Sequence, residues 1–454
     1  MTASESLANF CVNLKLETIP ASVKRIAKAV MIDTVGVATY GSRFPWSQAI
    51  LRYAQASSAS GKSRVFGLNG VRLHAASAAL CNGAFAHAFE QDSLRKPGAG
   101  VHPGATVVAP AFAVAEQCDA TGAQLLLAVI AGCEVMFRIG AASLHTSEKK
   151  GFHAPGLTGP YGSAVAAGVL LGFNAQQHRA ALGIAGSMSA GLLAFTKAQG
   201  GADVKRLHLG RAAESGVMAA MLVAEGLSGP ETILEGKFGF LESYCAQTDP
   251  GLLTANLGSA WETEKICLKA FPCHVTAHTP IESLRELMRL HQFCAADVSA
   301  IELEVSEKVL SHHVIRQPLD IKQAQYSTPF CVAWALHRDP YKPENMNESA
   351  LHDPKIRKLS QEIVLMPFSS GDKKNSAWST MLRVTLNSGV TYEKWSDEFA
   401  GSPKKPLSEQ ALKTRFYQLT GKKSESVKAQ WWNALNDIEH VSNISALPAL
   451  NFEE

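Results

Sequence analysis

The chain has 454 residues, 46% hydrophobic and 18% charged, with a formal net charge of only +3. That length sets a prior of two or three domains around a sizeable core. High hydrophobicity with little net charge excludes disorder for most of the chain, and the near-neutral balance argues against nucleic acid or an anionic membrane as the main partner.

The charged fraction lies below the roughly 25% usual for soluble domains, which implies much buried surface, including surface between subunits. The first 17 residues, MTASESLANFCVNLKLE, lack a basic start followed by an apolar core, so they do not read as a signal peptide. Pro20 sits where a helix can begin, and Val23, Ile26 and Val30 fall on one face at helical spacing. Further helical runs rich in Ala and Gly follow at Ala75–Phe89, Ala105–Cys118, Leu125–Ile139, Ala164–Leu171, Ala180–Phe195 and Ala212–Leu227. Small residues let such helices approach closely. The longest weakly polar stretch, Ala180–Phe195, is 16 residues and short of the roughly 20 a membrane span needs, so it reads as a buried helix or helix pair.

The pattern changes near residue 265. Ala300–Val305 alternates as a half-buried strand does, and Ile363–Pro367 and Met381–Leu386 read as further strands. Asn387-Ser388-Gly389 has turn chemistry, and Val390-Thr391-Tyr392 can return as a hairpin partner. Pro280–His291 and Thr328–His337 read as helices between them, giving an α+β region of roughly 130 residues. Past Gly401-Ser402-Pro403 the chain is helical again, and Lys404, Lys405, Lys413, Lys422, Lys423 and Lys428 read as a solvated basic face. Nine cysteines, an odd count without a C-x-x-C, argue against a disulfide framework and for a reducing, cytoplasmic compartment. The only close pair, Cys267 and Cys273, does not make an iron–sulfur ligand set.

Nucleotide and hydrolase motifs are missing. Gly98-Ala99-Gly100 with Gly104 lacks the dinucleotide-loop spacing, no G-K-[ST] loop exists, and Gly162-Ser163-Ala164 is not a nucleophile elbow. His274 and His278 are four apart, but Val275 stands where a zinc hydrolase needs Glu, so no metal is expected there. Cys273 next to His274 is not read as a thiolate pair, because adjacent side chains point apart.

Five short segments concentrate polar groups inside apolar, Gly-rich surroundings. They are H-A-F-E-Q-D-S (His87–Ser93), V-H-P-G (Val101–Gly104), G-F-H-A-P-G (Gly151–Gly156), V-K-R-L-H-L-G (Val204–Gly210) and K-A-F-P-C-H (Lys269–His274). In this order and spacing, with the glycine-rich helix Gly159–Gly168, they resemble the MmgE/PrpD family, which includes 2-methylcitrate dehydratase, cis-aconitate decarboxylase and iminodisuccinate epimerase. The likeness runs the length of the chain and is strongest from Asn82 to His278.

The resemblance implies a mainly α fold: a large all-helical domain built from both chain ends (1–265 and 401–454) and a smaller inserted α+β lid (266–400). It implies a homodimer, a cleft between the domains, a small di- or tricarboxylate substrate, and neither metal nor organic cofactor. Carried over residue by residue, the catalytic groups would be Asp92, His102, His153, Lys205 and His274. Lys269 belongs to the same polar cleft, and Glu90, Arg95, Lys96 and Arg206 join it as substrate-binding candidates. The first segment departs from the family pattern H-x-x-D-F-D-D-T. Glu90 and Ser93 each replace an Asp, and Leu94 replaces a Thr that family decarboxylases place at the site, so a different substrate is expected.

The chemistry follows from the residue types. Polyanions need fixed cations. Cations and His donors aimed at a carboxylate stabilise an enolate-like state, and a His moves the proton. The expectation is a cofactor-independent lyase, dehydratase or decarboxylase. The alternatives are an epimerase or isomerase on a similar acid, or a carboxylate-binding protein without catalysis.

Overall fold

The computed structural model describes residues 1–97, 101–198, 202–368, 376–421 and 424–450. The expectations at Gly98–Gly100 and at Lys422 and Lys423 lie outside them. The fold is mainly helical with small sheets.

The helices begin where the sequence supplies caps. Pro20 precedes Ala21–Gly41, and Thr121 opens Gly122–Ala142 with a capping box to Gln124. Gly122–Ala142 is 21 residues long and includes an 18-residue stretch of mean hydropathy 1.9, enough to cross a membrane by length and composition, yet 89% of that stretch is buried inside the molecule. It corrects the sequence reading, which took Ala180–Phe195 as the longest apolar run. That second run is only half buried: a helix ends at Ser187, and Leu192–Lys197 turns outward with Leu192 exposed.

Three helices form the centre: Ala75–Ala86, Ala154–Leu170 and Val204–Ala224. Small residues set their spacing. A Cβ at Gly210 would meet the Leu80 carbonyl oxygen at 2.5 Å, and one at Gly216 would meet Ser163 Cβ at 2.3 Å. The helix Ala154–Leu170 joins the glycine-rich helix Gly159–Gly168 and the apolar run Ala164–Leu171 of the sequence reading, begins before both and contains Pro160. A proline leaves the carbonyl four residues back without its helical donor. Here the Ala190 N–H supplies that bond to Gly156 at 3.2 Å, and Gly191 accepts from the His153 N–H at 3.0 Å. The broken helical pattern thus ties the 190 loop beside His153.

The α+β region carries a four-stranded sheet in the order Val364–Pro367, Val298–Val305, Thr380–Leu386, Thr391–Ser396. The first pair is parallel and the others antiparallel, with Thr385 opposite Thr391 across the expected turn. Helices His278–His291 and Thr328–His337 pack together beside it. The two crossings into and out of this region touch: the Leu268 N–H donates to Gly401 O at 2.9 Å.

Beyond Gly401, helix Glu409–Leu419 packs on Ala21–Gly41, close to the N-terminus in the fold. The basic tail is not wholly a solvated face. Lys428 is buried, lies 5.6 Å from the Tyr417 ring and pairs with Glu425, while Lys405 pairs with Glu282. The charges of Lys405 and Lys428 are met within the chain.

Candidate active site

Helix Ala75–Ala86 stops at His87, and the chain reverses through Glu90, whose φ of 55° lies in the left-handed region. A long side chain seldom adopts that conformation unless its surroundings enforce it. Here they do. The Gln325 side-chain amide donates to Phe89 O at 2.9 Å and to Pro272 O at 3.1 Å, and the Gln325 backbone carbonyl accepts from the His274 N–H at 2.8 Å. Arg415 donates to Gln91 O at 3.0 Å and to the buried Asp33 carboxylate at 2.8 Å. Two distant chain segments, at Gln325 and Arg415, therefore hold one turn.

The turn aims Glu90 and Asp92 inward, and both are almost fully buried. Asp92 lies between two imidazoles. Its Oδ1 is 2.9 Å from His87 Nδ1 and its Oδ2 is 3.0 Å from His102 Nδ1. His102 Nδ1 is also 3.1 Å from Ser93 O, which assigns the proton to Nδ1 and leaves Nε2 as a base. Burial alone would raise the Asp92 pKa, but His87 and His102 outweigh it and hold the carboxyl far below its ordinary range. Burial pushes His87 down to about 3 against the opposing pull of Asp92, so that ring is neutral.

Glu90 meets the cations. Lys205 pairs with its Oε1, Lys269 Nζ lies 3.3 Å from Oε2 and 3.1 Å from Glu90 O, and the Tyr326 hydroxyl donates to Oε1 at 3.1 Å. Burial opposes ionisation of Glu90, yet Lys205 and Lys269 keep its carboxyl well below the usual range. Lys205 itself is pushed down to about 8, by burial first and then by Lys269 and Arg206, against the pull of Glu90. Lys205 and Arg206 occupy the first turn of helix Val204–Ala224. The positive end of the helix dipole is already there, so two cations are unfavourable without an anion. Arg206 is buried over the Trp46 ring, and its second terminal nitrogen (Nη2) has no partner among the described residues.

His274 opens a short turn at the start of the α+β region. Its Nδ1 accepts from the Thr276 N–H at 3.4 Å and lies 2.9 Å from Thr276 Oγ1, which puts the proton on Nε2. The ring stacks on His313 at 4.0 Å and lies 5.4 Å from the Tyr326 ring. Burial, then His313 and Lys269, holds its pKa well below the ordinary value. His153 contacts His208 through their Nδ1 atoms at 3.0 Å. Burial depresses it first, and the Lys205 cation lowers it further.

The structure thus brings together Glu90, Asp92, His102, His153, Lys205, Arg206, Lys269 and His274. It commits Arg95 and Lys96 elsewhere. Arg95 sits on a two-residue strand paired with Ile266–Cys267, and its Nε donates to Glu262 at 2.9 Å. Lys96 pairs with Glu398 at 2.7 Å. Their charges are thereby met by carboxylates outside the Glu90 cluster, where sequence reasoning had assigned them to substrate. Leu94 packs with Cys267, Val275, Trp378 and Phe399, and Ser93 Oγ accepts the Gly104 N–H at 3.1 Å.

His278 lies between Phe271 and Phe399, away from any pairing with His274, and Cys273 faces Cys331 and His278. Sequence reasoning missed Tyr326, Gln325, His313 and Arg415. None belongs to a polar segment, and only the buried amide and guanidinium of Gln325 and Arg415 mark them in space. His87 was quoted within its segment without being assigned a role.

Among the described residues, His87, Asp92 and His102 form the one group whose ligand atoms are close enough to hold a metal ion. Both Nδ1 atoms there face Asp92, so an ion would take the place of two N–H protons.

Comparison with known proteins gives the same direction. Human cis-aconitate decarboxylase is 27% identical over 430 residues, covering 91% of this chain and 86% of that protein. The Aspergillus terreus cis-aconitate decarboxylase is 26% identical over 440 residues, covering 91% and 88%. The cis-aconitate decarboxylase-like protein oryM of Aspergillus oryzae is 26% identical over 471 residues, covering 98% and 96%. Residues 5–253 match the MmgE/PrpD N-terminal domain and residues 271–437 the MmgE/PrpD C-terminal domain, and the chain belongs to the MmgE/PrpD family.

Proposed function

We propose that this enzyme, a lyase of the MmgE/PrpD type, is a cofactor-independent decarboxylase or dehydratase acting on a small polycarboxylate. One observation carries the reading: a base backed by a buried carboxylate, His102 on Asp92, lies beside buried Lys205, Arg206 and Lys269. The cations bind a substrate carboxylate, and unlike water they need no reorientation as charge develops. In dehydration, His102 Nε2 takes the proton next to that carboxylate. The electron pair forms an enolate-like anion, then the carbon–carbon double bond, as the hydroxyl leaves with a proton as water. In decarboxylation the carbon–carbon bond to a leaving carboxylate breaks. Its electron pair passes to the neighbouring unsaturated carboxylate, carbon dioxide departs, and a proton returns to carbon.

The two imidazoles have different tautomers. His102 presents a lone pair and His274 presents an N–H, which suits base and donor respectively. The 266–400 region acts as a lid in this reading, closing the cleft against water, and the chain works as a homodimer. Incubation with candidate short carboxylic acids in deuterated water tests the proposal. New alkene absorbance marks a dehydratase and carbon dioxide a decarboxylase. Exchange with scrambled stereochemistry and no loss of water or carbon dioxide would replace the lyase by an epimerase.

A further inference from the structure

His102, His274 and His153 differ in what holds their Nδ1 atoms. His102 Nδ1 meets the carbonyl oxygen of Ser93, which can only accept, so its proton is fixed there. His274 Nδ1 accepts from the Thr276 N–H, which can only donate. His153 Nδ1 meets another imidazole nitrogen, His208 Nδ1, at 3.0 Å. That nitrogen can donate or accept, so it admits either tautomer of His153. His208 lies three residues after Lys205 in helix Val204–Ala224, so the two share a helix face. The His153 and His208 ring centroids are 5.2 Å apart, and the Phe195 ring packs against them at 5.1 Å and 5.8 Å. His153 is buried and His208 half-buried. Burial lowers both pKa values, so above neutral pH both rings are uncharged. Two N–H groups would collide at this separation, and two lone pairs would repel. The pair therefore holds one hydrogen between its Nδ1 atoms. With that hydrogen on His208, His153 presents an N–H at Nε2. With it on His153, the same Nε2 presents a lone pair.

We propose that His208 is a positioning residue that lets His153 switch between proton donor and base by the shift of a single hydrogen between the two Nδ1 atoms. As the hydrogen passes from His208 to His153, His153 Nε2 gives its own proton to the substrate carbanion. His208 Nε2 takes a proton from water, so both rings stay neutral. The reverse shift turns His153 into a base. The catalytic use of this switch rests on the polycarboxylate-lyase reading above, whereas the shared hydrogen rests on the geometry of the two rings.

Long-range proton–nitrogen NMR correlation on isotope-labelled histidines, above neutral pH and without any ligand, tests it. His153→Gln and the His208 variants assign the two rings by loss of signal. In the wild type the hydrogen occupancies of the two Nδ1 atoms should add to one. His208→Asp offers only an acceptor and should put the His153 hydrogen on Nδ1. His208→Lys offers only a donor and should put it on Nε2. Wild-type occupancies that do not add to one overturn the proposal without any variant having to fold. So does a His153 that keeps the same tautomer in both variants. The same spectra read His102 and His274: a His102 hydrogen on Nε2, or a His274 hydrogen on Nδ1, would undo the base and donor assignments of the lyase reading while leaving the His153–His208 result to stand or fall by itself.

Discussion

Replacing Asp92 by Asn changes one oxygen for an amide nitrogen and keeps the shape. In the wild type both carboxylate oxygens face Nδ1 atoms, at 2.9 Å from His87 and 3.0 Å from His102. The amide has one acceptor and one donor end. Only one imidazole then keeps its proton on Nδ1, and the other must present a lone pair there and carry its proton on Nε2. If the flipped ring is His102, its Nε2 stops being a base. Loss of general-base action costs roughly 10²–10⁴-fold in turnover.

Binding should change little, because the lysines and Arg206 are untouched. A buried group left without its partner costs about 1–3 kcal/mol. Removal of a buried charge offsets part of this, so Asp92→Asn should fold with only a modest loss of stability. The measurements are kcat, the dissociation constant of an unreactive carboxylate, and the denaturation midpoint. A variant that retains kcat within tenfold of the wild type would show that Ser93 O holds the His102 proton on Nδ1 without the carboxylate, and would refute Asp92 as the group that sets that tautomer.

Lys205→Ala should weaken carboxylate binding and cost about 1–3 kcal/mol of stability, because Glu90 loses one of its two cations and keeps Lys269 and the Tyr326 hydroxyl; adding Glu90→Gln should recover much of the stability, and strictly additive denaturation energies would deny the coupling. Gly216→Ala should lose about 1–3 kcal/mol by chemical denaturation, since the new methyl meets Ser163 Cβ at 2.3 Å and Pro160 O at 2.4 Å. Acid should destabilise the fold. Burial depresses His178 and His313 to about 4 and His87 to about 3, so between those values and about 6.5 the unfolded chain binds the extra protons. Each such histidine contributes stability above its unfolded pKa and loses about 1.4 kcal/mol per pH unit as the pH falls through that window; His178→Gln should flatten the slope of stability against pH. Dialysis against a chelator should leave turnover intact, and activity restored only by added metal would assign the His87, Asp92 and His102 group to an ion.

Local sequence determined much of this protein. The helical character of the first two thirds, the turn at Asn387–Gly389 and the helix Thr328–His337 each depend on neighbours in the chain; the turn and that helix appear where the pattern put them, while Ala154–Leu170 starts earlier and the Ala180–Phe195 run breaks at Ser187. The polar words around His87, His102, His153, Lys205 and Lys269 were equally legible, because ionisable groups in Gly- and Ala-rich surroundings stand out from their context. Tertiary structure alone decided which charges were free. Arg95, Lys96, Lys205 and Lys269 look alike in sequence. Only the fold brings Glu262 to the first, Glu398 to the second, and Glu90 to the last two. Tyr326, Gln325 and Arg415 reach the cluster from 236 and 324 residues away along the chain, so no spacing rule could have placed them. A salt bridge is a property of three-dimensional proximity, and the free energy of a buried charge depends on which opposite charge the fold delivers to it.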